Sequence, residues 1–119
     1  MMDIPAQVEI GKGLRIEHIG GIVINPEAKL GENVTLLNGV LIGAQNRGEK
    51  EGCPVIGNSV WIGTNAIIVG AIQIGNNVLV APGAYVNFDV PDHSIVIGNP
   101  GKIIPKQNAT EGYIASPVE

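Results

Sequence analysis

The sequence predicts an all-β fold, a three-sided solenoid of short stacked strands. Three observations predict it. An aliphatic marker recurs every six positions, at Ile4, Ile10 and Ile16, then Ile24, Leu30, Leu36 and Ile42, then Ile56, Ile62, Ile68, Ile74, Val80 and Val86. Four positions beyond the marker a second apolar residue recurs, at Val8, Leu14, Ala28, Val34, Val40, Val60, Ala66, Ile72, Val78, Ala84 and Val90. Glycine follows the marker at positions 11, 31, 43, 57, 63 and 75. A period of six does not match the 3.6 residues of a helical turn. Two inward positions in six, often with glycine beside one, describe a short strand followed by a tight turn.

Strands this short cannot pair within one hexapeptide, so each pairs with its equivalent one coil away. Three hexapeptides per coil give a triangular prism of about five coils, with strands stacked about 4.8 Å apart. The period leaves the hand of the coil open, because parallel crossovers elsewhere are right-handed in about 98% of cases.

Composition agrees with such a prism. Hydrophobic residues make up 45% of the 119, yet Trp61, Tyr85, Phe88 and Tyr113 are the only aromatics, so the core must be aliphatic and regular. Seventeen glycines and eight prolines would suit disorder or collagen, but here they are interleaved with Ile and Val at fixed spacing. A net charge of −4 without a basic cluster argues against nucleic acid as a partner. No apolar run reaches the roughly 20 residues of a membrane span, and the N-terminus does not read as a signal peptide. The single cysteine, Cys53, excludes an internal disulfide and suits a reducing cytoplasm.

The six-residue count breaks twice. From Ile16 to Ile24 the step is eight, which adds two residues around His18. From Ile42 to Ile56 it is fourteen, and residues 44–54 carry no inward pattern, so they form a loop projecting from the prism. Insertions in repeat proteins gather on the binding face. After Val86 the pattern decays, and Ser94 to Ile104 read as a last strand and turn over the open end. The sequence divides into a solenoid domain, 1–105, and a polar, mobile C-terminal tail, 106–119.

Several stretches resemble one family. They are Asp3-Ile4, Ile10-Gly11-Lys12-Gly13, Glu17-His18 with Gly21-Ile22-Val23, Val60-Trp61-Ile62-Gly63, Val69-Gly70 with Ile74-Gly75, and Asp89-Val90-Pro91 with Gly98-Asn99-Pro100. Together they resemble the left-handed parallel β-helix acyltransferases, in the branch of serine O-acetyltransferase and related sugar or capsule O-acetyltransferases, over about residues 3–104. The resemblance implies the left hand of the coil, acetyl-CoA as co-substrate, and a homotrimer with active sites between subunits. It implies His18 as the general base and Asp3 as the carboxylate that orients it. It places Glu17 and Cys53 beside the acceptor, which would be serine or a saccharide hydroxyl. Coenzyme A would meet Gly43, Ala44, Gly63, Thr64 and Pro82, and Lys102 would meet a cofactor phosphate. Two departures bear on the acceptor. The family's loop reads Arg-His-Pro where this chain has Gly52-Cys53-Pro54, and its aspartate before the histidine is here Glu17.

Chemically, removal of a hydroxyl proton during attack on a thioester suits a neutral imidazole, which titrates near pH 6.5 when unperturbed. From the residues alone, His18 reads equally as an exposed turn histidine without a task, and the five coenzyme positions as ordinary solenoid turns. Cys53 as an acyl-carrying nucleophile lacks a neighbour that would lower its pKa. His93 reads as a solvent-facing turn residue. A γ-type carbonic anhydrase on the same fold needs three zinc-binding histidines, and His18 and His93 are the only two, so no metal is expected. The remaining alternative is a non-catalytic trimeric β-helix, used for binding or assembly.

Overall fold

The structure is a computed structural model, and it describes residues 2–114. Fifteen short strands wind into coils. The first coil holds β1 (Met2–Asp3), β2 (Glu9–Ile10) and β3 (Arg15–Ile16). The second holds β4 (Ile22–Ile24), β5 (Lys29–Leu30) and β6 (Thr35–Leu36). The third holds β7 (Leu41–Gly43), β8 (Val55–Ile56) and β9 (Val60–Ile62). The fourth holds β10 (Ile67–Val69), β11 (Gln73–Ile74) and β12 (Val78–Val80), and the fifth holds β13 (Tyr85–Val86) and β14 (Ser94–Ile97). Strand β15 (Lys102–Pro105) then turns back on β14.

Like strands of successive coils pair in parallel and make three faces. The first face is β1-β4-β7-β10-β13, the second is β2-β5-β8-β11, and the third runs from β3 through β6, β9, β12 and β14 to the antiparallel β15. The fold class expected from the count is therefore the one observed, an all-β prism of about five coils. Regular coils advance by one set of three hexads, so that Val60 pairs with Val78 and Ile67 with Tyr85.

The interior is the marker pattern realised. Ile24, Leu36, Ile42, Ile62, Ile68, Val80 and Val86 are buried, as are their companions Val34, Val40, Val60, Ala66, Ile72, Val78 and Ala84. Each buried Val, Leu or Ile contributes roughly 1.5–3 kcal/mol relative to exposure. Ile4, Ile10, Leu14 and Ile16 of the first coil are only partly buried against this core.

The outer surfaces differ. The second face presents Glu9, Lys29 and Gln73 to water. The third face presents Trp61 and Leu79, and these are covered from an unexpected source. Residues 106–114 do not form a mobile tail. They lie as a strap across the third face, where Ala109 is 2% exposed beside Trp61 and Leu79, and Tyr113 meets Trp61 edge-on at 5.1 Å. Residues 115–119 of the expected tail lie outside the described residues. No helix among the described residues is long and apolar enough to cross a membrane.

Candidate functional site

The two breaks in the count sit on different edges of the prism. Residues 17–21 form the corner between the third face and the first. Two extra residues there force an excursion, and Gly20 and Gly21 make it possible with φ of 135° and 66°, values that side chains rarely adopt. The excursion is tied to the next coil by Gly39 N–H donating to Gly20 O at 2.8 Å, and Glu17 N–H donates to Leu36 O at 3.1 Å. His18 is exposed on this corner, next to Ile19, which is 81% exposed. The imidazole has no hydrogen-bond partner among the described residues, Asp3 included. Asp3 ends β1, which pairs directly with β4, the strand that follows the His18 corner. Glu17 is engaged by the Arg15 guanidinium at 3.3 Å, a surface pair of small energetic weight.

The same edge continues upward through residues 37–40, 63–66 and 81–84. Gly63, Thr64 and Pro82 therefore stand above His18 along one corner of the prism. Asn65 N–H donates to Asn38 O at 3.0 Å, and Gly83 N–H to Thr64 O at 2.9 Å, so the corners are laced together. The Thr64 hydroxyl donates to Asn38 Oδ1 at 3.0 Å. Gly63 has a packing reason to be glycine, since a Cβ there would sit 2.6 Å from Pro82 N. Lys102 begins β15, opposite Ile97, with an exposed side chain.

Gly43, Ala44 and Cys53 lie on the next edge, between the first face and the second. Here the projecting loop closes on itself, with Gln45 N–H and Gly52 O 2.9 Å apart and Gly52 N–H and Gln45 O 3.0 Å apart. Its far side is anchored by Ala71 N–H donating to Lys50 O at 2.8 Å. Gly43, unlike Gly63, has room for a Cβ at ordinary van der Waals distance, the nearest atom being Val69 Cγ1 at 3.6 Å. Nothing within the chain demands its smallness. Between loop and solenoid is a cleft of about 370 Å³ lined by Asn25, Glu27, Gln45, Asn46, Glu51 and Cys53, among others. Burial, and then the Glu27 carboxylate, push the Cys53 thiol up, which is the wrong direction for a nucleophile.

Within one chain, then, His18, Gly63, Thr64 and Pro82 share one edge, and Gly43, Ala44 and Cys53 share another. The first face separates them, and its outward residues Val23, Leu41, Ile67 and Tyr85 form one register-matched stripe that is half-buried. The residues that sequence reasoning missed are those holding the strap: Asn77, Thr110 and Ala109. A signal was present, because Trp61, Leu79 and Ile95 occupy outward positions of successive coils, where large apolar side chains need a cover.

Comparison with known proteins agrees with this architecture. Residues 53–87 match the family described as bacterial transferase hexapeptide (six repeats). Serine acetyltransferase 4 of Arabidopsis thaliana is 40% identical over 103 residues, 87% of this chain and 29% of the relative. Serine acetyltransferase of Helicobacter pylori is 34% identical over 105 residues, 88% of this chain and 61% of the relative. The crystal structure of Neisseria gonorrhoeae serine acetyltransferase in complex with serine superposes with a TM-score of 0.74 at 40% identity, covering 81% of this chain and 39% of that one. The chain thus spans between 29% and 61% of the length of these two curated relatives. Sequence and backbone together place its β-helix in the serine acetyltransferase branch of the left-handed hexapeptide-repeat acyltransferases.

Proposed function

We propose that this chain, with residues 1–105 as its acyltransferase domain, transfers an acetyl group from acetyl-CoA to a hydroxyl of a small acceptor, serine or a sugar. The observation that carries the reading is the exposed, unpartnered imidazole of His18, set by a two-residue excursion on the edge that also carries Gly63, Thr64 and Pro82. Relatives named serine acetyltransferase support the acetyl group and serine as the first acceptor to test.

In this reading His18 takes the proton from the acceptor hydroxyl as its oxygen attacks, and later returns a proton to the departing sulfur. Asp3 holds the other ring nitrogen and favours the imidazolium. The co-substrate, when bound, supplies the activated acetyl thioester. Backbone at Gly43, Ala44, Gly63, Thr64 and Pro82 lies against it, and Lys102 meets a phosphate. Gly43 suits this contact well, because no packing within the chain explains its missing side chain. Glu17, Cys53 and the cleft beside Cys53 contact the acceptor. The two edges of one chain are far from converging, so the reading includes a homotrimer, in which the His18 edge of one subunit meets the loop of its neighbour and the apolar first-face stripe is covered. The reducing cytoplasm suits the free thiol.

A non-catalytic trimeric module is the competing reading, and the missing hydrogen bond between Asp3 and His18 is the observation in its favour. Thiol release from acetyl-CoA, measured with serine and with sugar acceptors, separates the two. Activity in wild type that His18→Ala abolishes supports the enzyme. Absence of coenzyme A binding together with an unaffected His18→Ala background overturns it. Co-expressing His18→Ala with a chain lacking residues 45–52 tests the shared site, since only an intersubunit arrangement restores activity.

A further inference from the structure

Acetyl transfer makes no use of a polar cluster at the corner between the second and third faces. Asn77 and His93 occupy the same position of that corner on successive coils, each with φ of 57°. The Asn77 amide is fully engaged. Its Oδ1 accepts from the Thr110 backbone N–H at 3.1 Å and from the Thr110 hydroxyl at 2.6 Å. Its Nδ2 donates to the Gln107 carbonyl at 2.8 Å and lies 2.8 Å from Nδ1 of His93.

These partners fix the protonation of the imidazole. A backbone N–H only donates, so the amide atom facing Thr110 is oxygen. A carbonyl only accepts, so the atom facing Gln107 is nitrogen. That nitrogen turns its second hydrogen to His93, whose Nδ1 must therefore carry a lone pair. An imidazolium has hydrogen on both nitrogens and cannot accept. Turning the amide over to suit it would set NH₂ against the Thr110 N–H and oxygen against the Gln107 carbonyl, keeping one contact at the cost of two.

Few charges surround the ring. Asp92 on the same turn accepts from Asn76 N–H at 2.7 Å, and Lys106 on the strap donates its backbone N–H to His93 O at 2.9 Å. The coil below presents the uncharged Asn76 and Asn77. We propose that residues 106–114 are a pH-sensitive strap, docked while His93 is neutral and released when its imidazole takes up a proton. With the strap docked, strap and third face together enclose a groove of about 610 Å³ lined by Trp61, Leu79, Pro82, Ile95 and Tyr113, among others, and release takes it apart and bares Trp61 and Leu79. Docking is present at high pH and lost as pH falls.

Trp61 is the only tryptophan in the chain and touches the strap, so its emission in the full-length protein reports docking. The titration runs from about pH 8 to about pH 5.5, either side of the ordinary imidazole range. Wild type is expected to shift reversibly to the red by several nanometres on acidification. Thr110→Val, which loses a strap bond without touching the solenoid, is expected to be red-shifted already at high pH. His93→Asn places a non-titrating acceptor where Nδ1 was, in a residue that tolerates positive φ, and is expected to stay blue throughout. A flat wild-type titration, a His93→Asn variant that titrates like wild type, or a Thr110→Val emission matching wild type at high pH each overturns the proposal.

Discussion

The solenoid is interrupted twice, and the two interruptions are built differently. The excursion at 17–21 adds two residues, relies on positive φ at Gly20 and Gly21, and leaves its imidazole without a partner. The loop after β7 adds eight residues to its coil, as the pairing of Leu41 with Ile67 against that of Val23 with Leu41 shows, and it satisfies itself through the Gln45–Gly52 bridge. Neither disturbs the strands on either side. A stacked solenoid takes insertions at its corners because the core depends on register within faces, and register resumes once the chain returns to the marker. The short insertion therefore presents an exposed, unpartnered imidazole, and the long one builds the wall of a cleft.

The sharpest way to break this contrast is at His18. Replacing it with alanine is expected to cut acetyl transfer by about 10²- to 10⁴-fold, the usual contribution of a placed base. Thermal unfolding should move by less than about 0.5 kcal/mol, because the side chain is exposed. Equal losses of fold and activity would show a structural corner.

The next effect is on stability. Ile42, 0% exposed on the strand that leads into the loop, is expected to cost about 2–5 kcal/mol when changed to alanine, by chemical denaturation. Arg47→Ala, within the loop, should change stability by less than about 0.5 kcal/mol. Excising residues 45–52 restores a regular coil and should shift stability by about 1 kcal/mol or less, since closing entropy varies slowly with loop length. Collapse of the β-sheet signal in circular dichroism would refute the independence of loop and core. The smallest effect is at Cys53. Burial, and then the Glu27 carboxylate, push its thiol up, so Glu27→Gln removes only the lesser cause and should speed alkylation at neutral pH by a few-fold at most.

The core was legible because it obeys a rule of sequence distance. Ile24, Ile62 and Val80 could be placed inside before any coordinate was seen, and the two insertions located themselves by breaking the count. The site was legible only in part. Nothing in the spacing said that Gly63 is required by Pro82 while Gly43 is not, because that distinction depends on what stacks above each glycine. The strap escaped altogether. Thr110 finds Asn77 thirty-three positions away, outside any repeat, and a polar segment with one buried alanine carries no periodic mark.

The reversal of chain direction at β15 has a consequence for solubility. Parallel coils end in unsatisfied donors and acceptors that invite another molecule to add itself end to end. On the third face that invitation is met by a strand running the opposite way, in which Pro105 lacks an N–H and Lys102 sets a charge at the rim. A neighbour's coil arriving there finds the wrong polarity, so fibre growth along the prism axis is discouraged at that face.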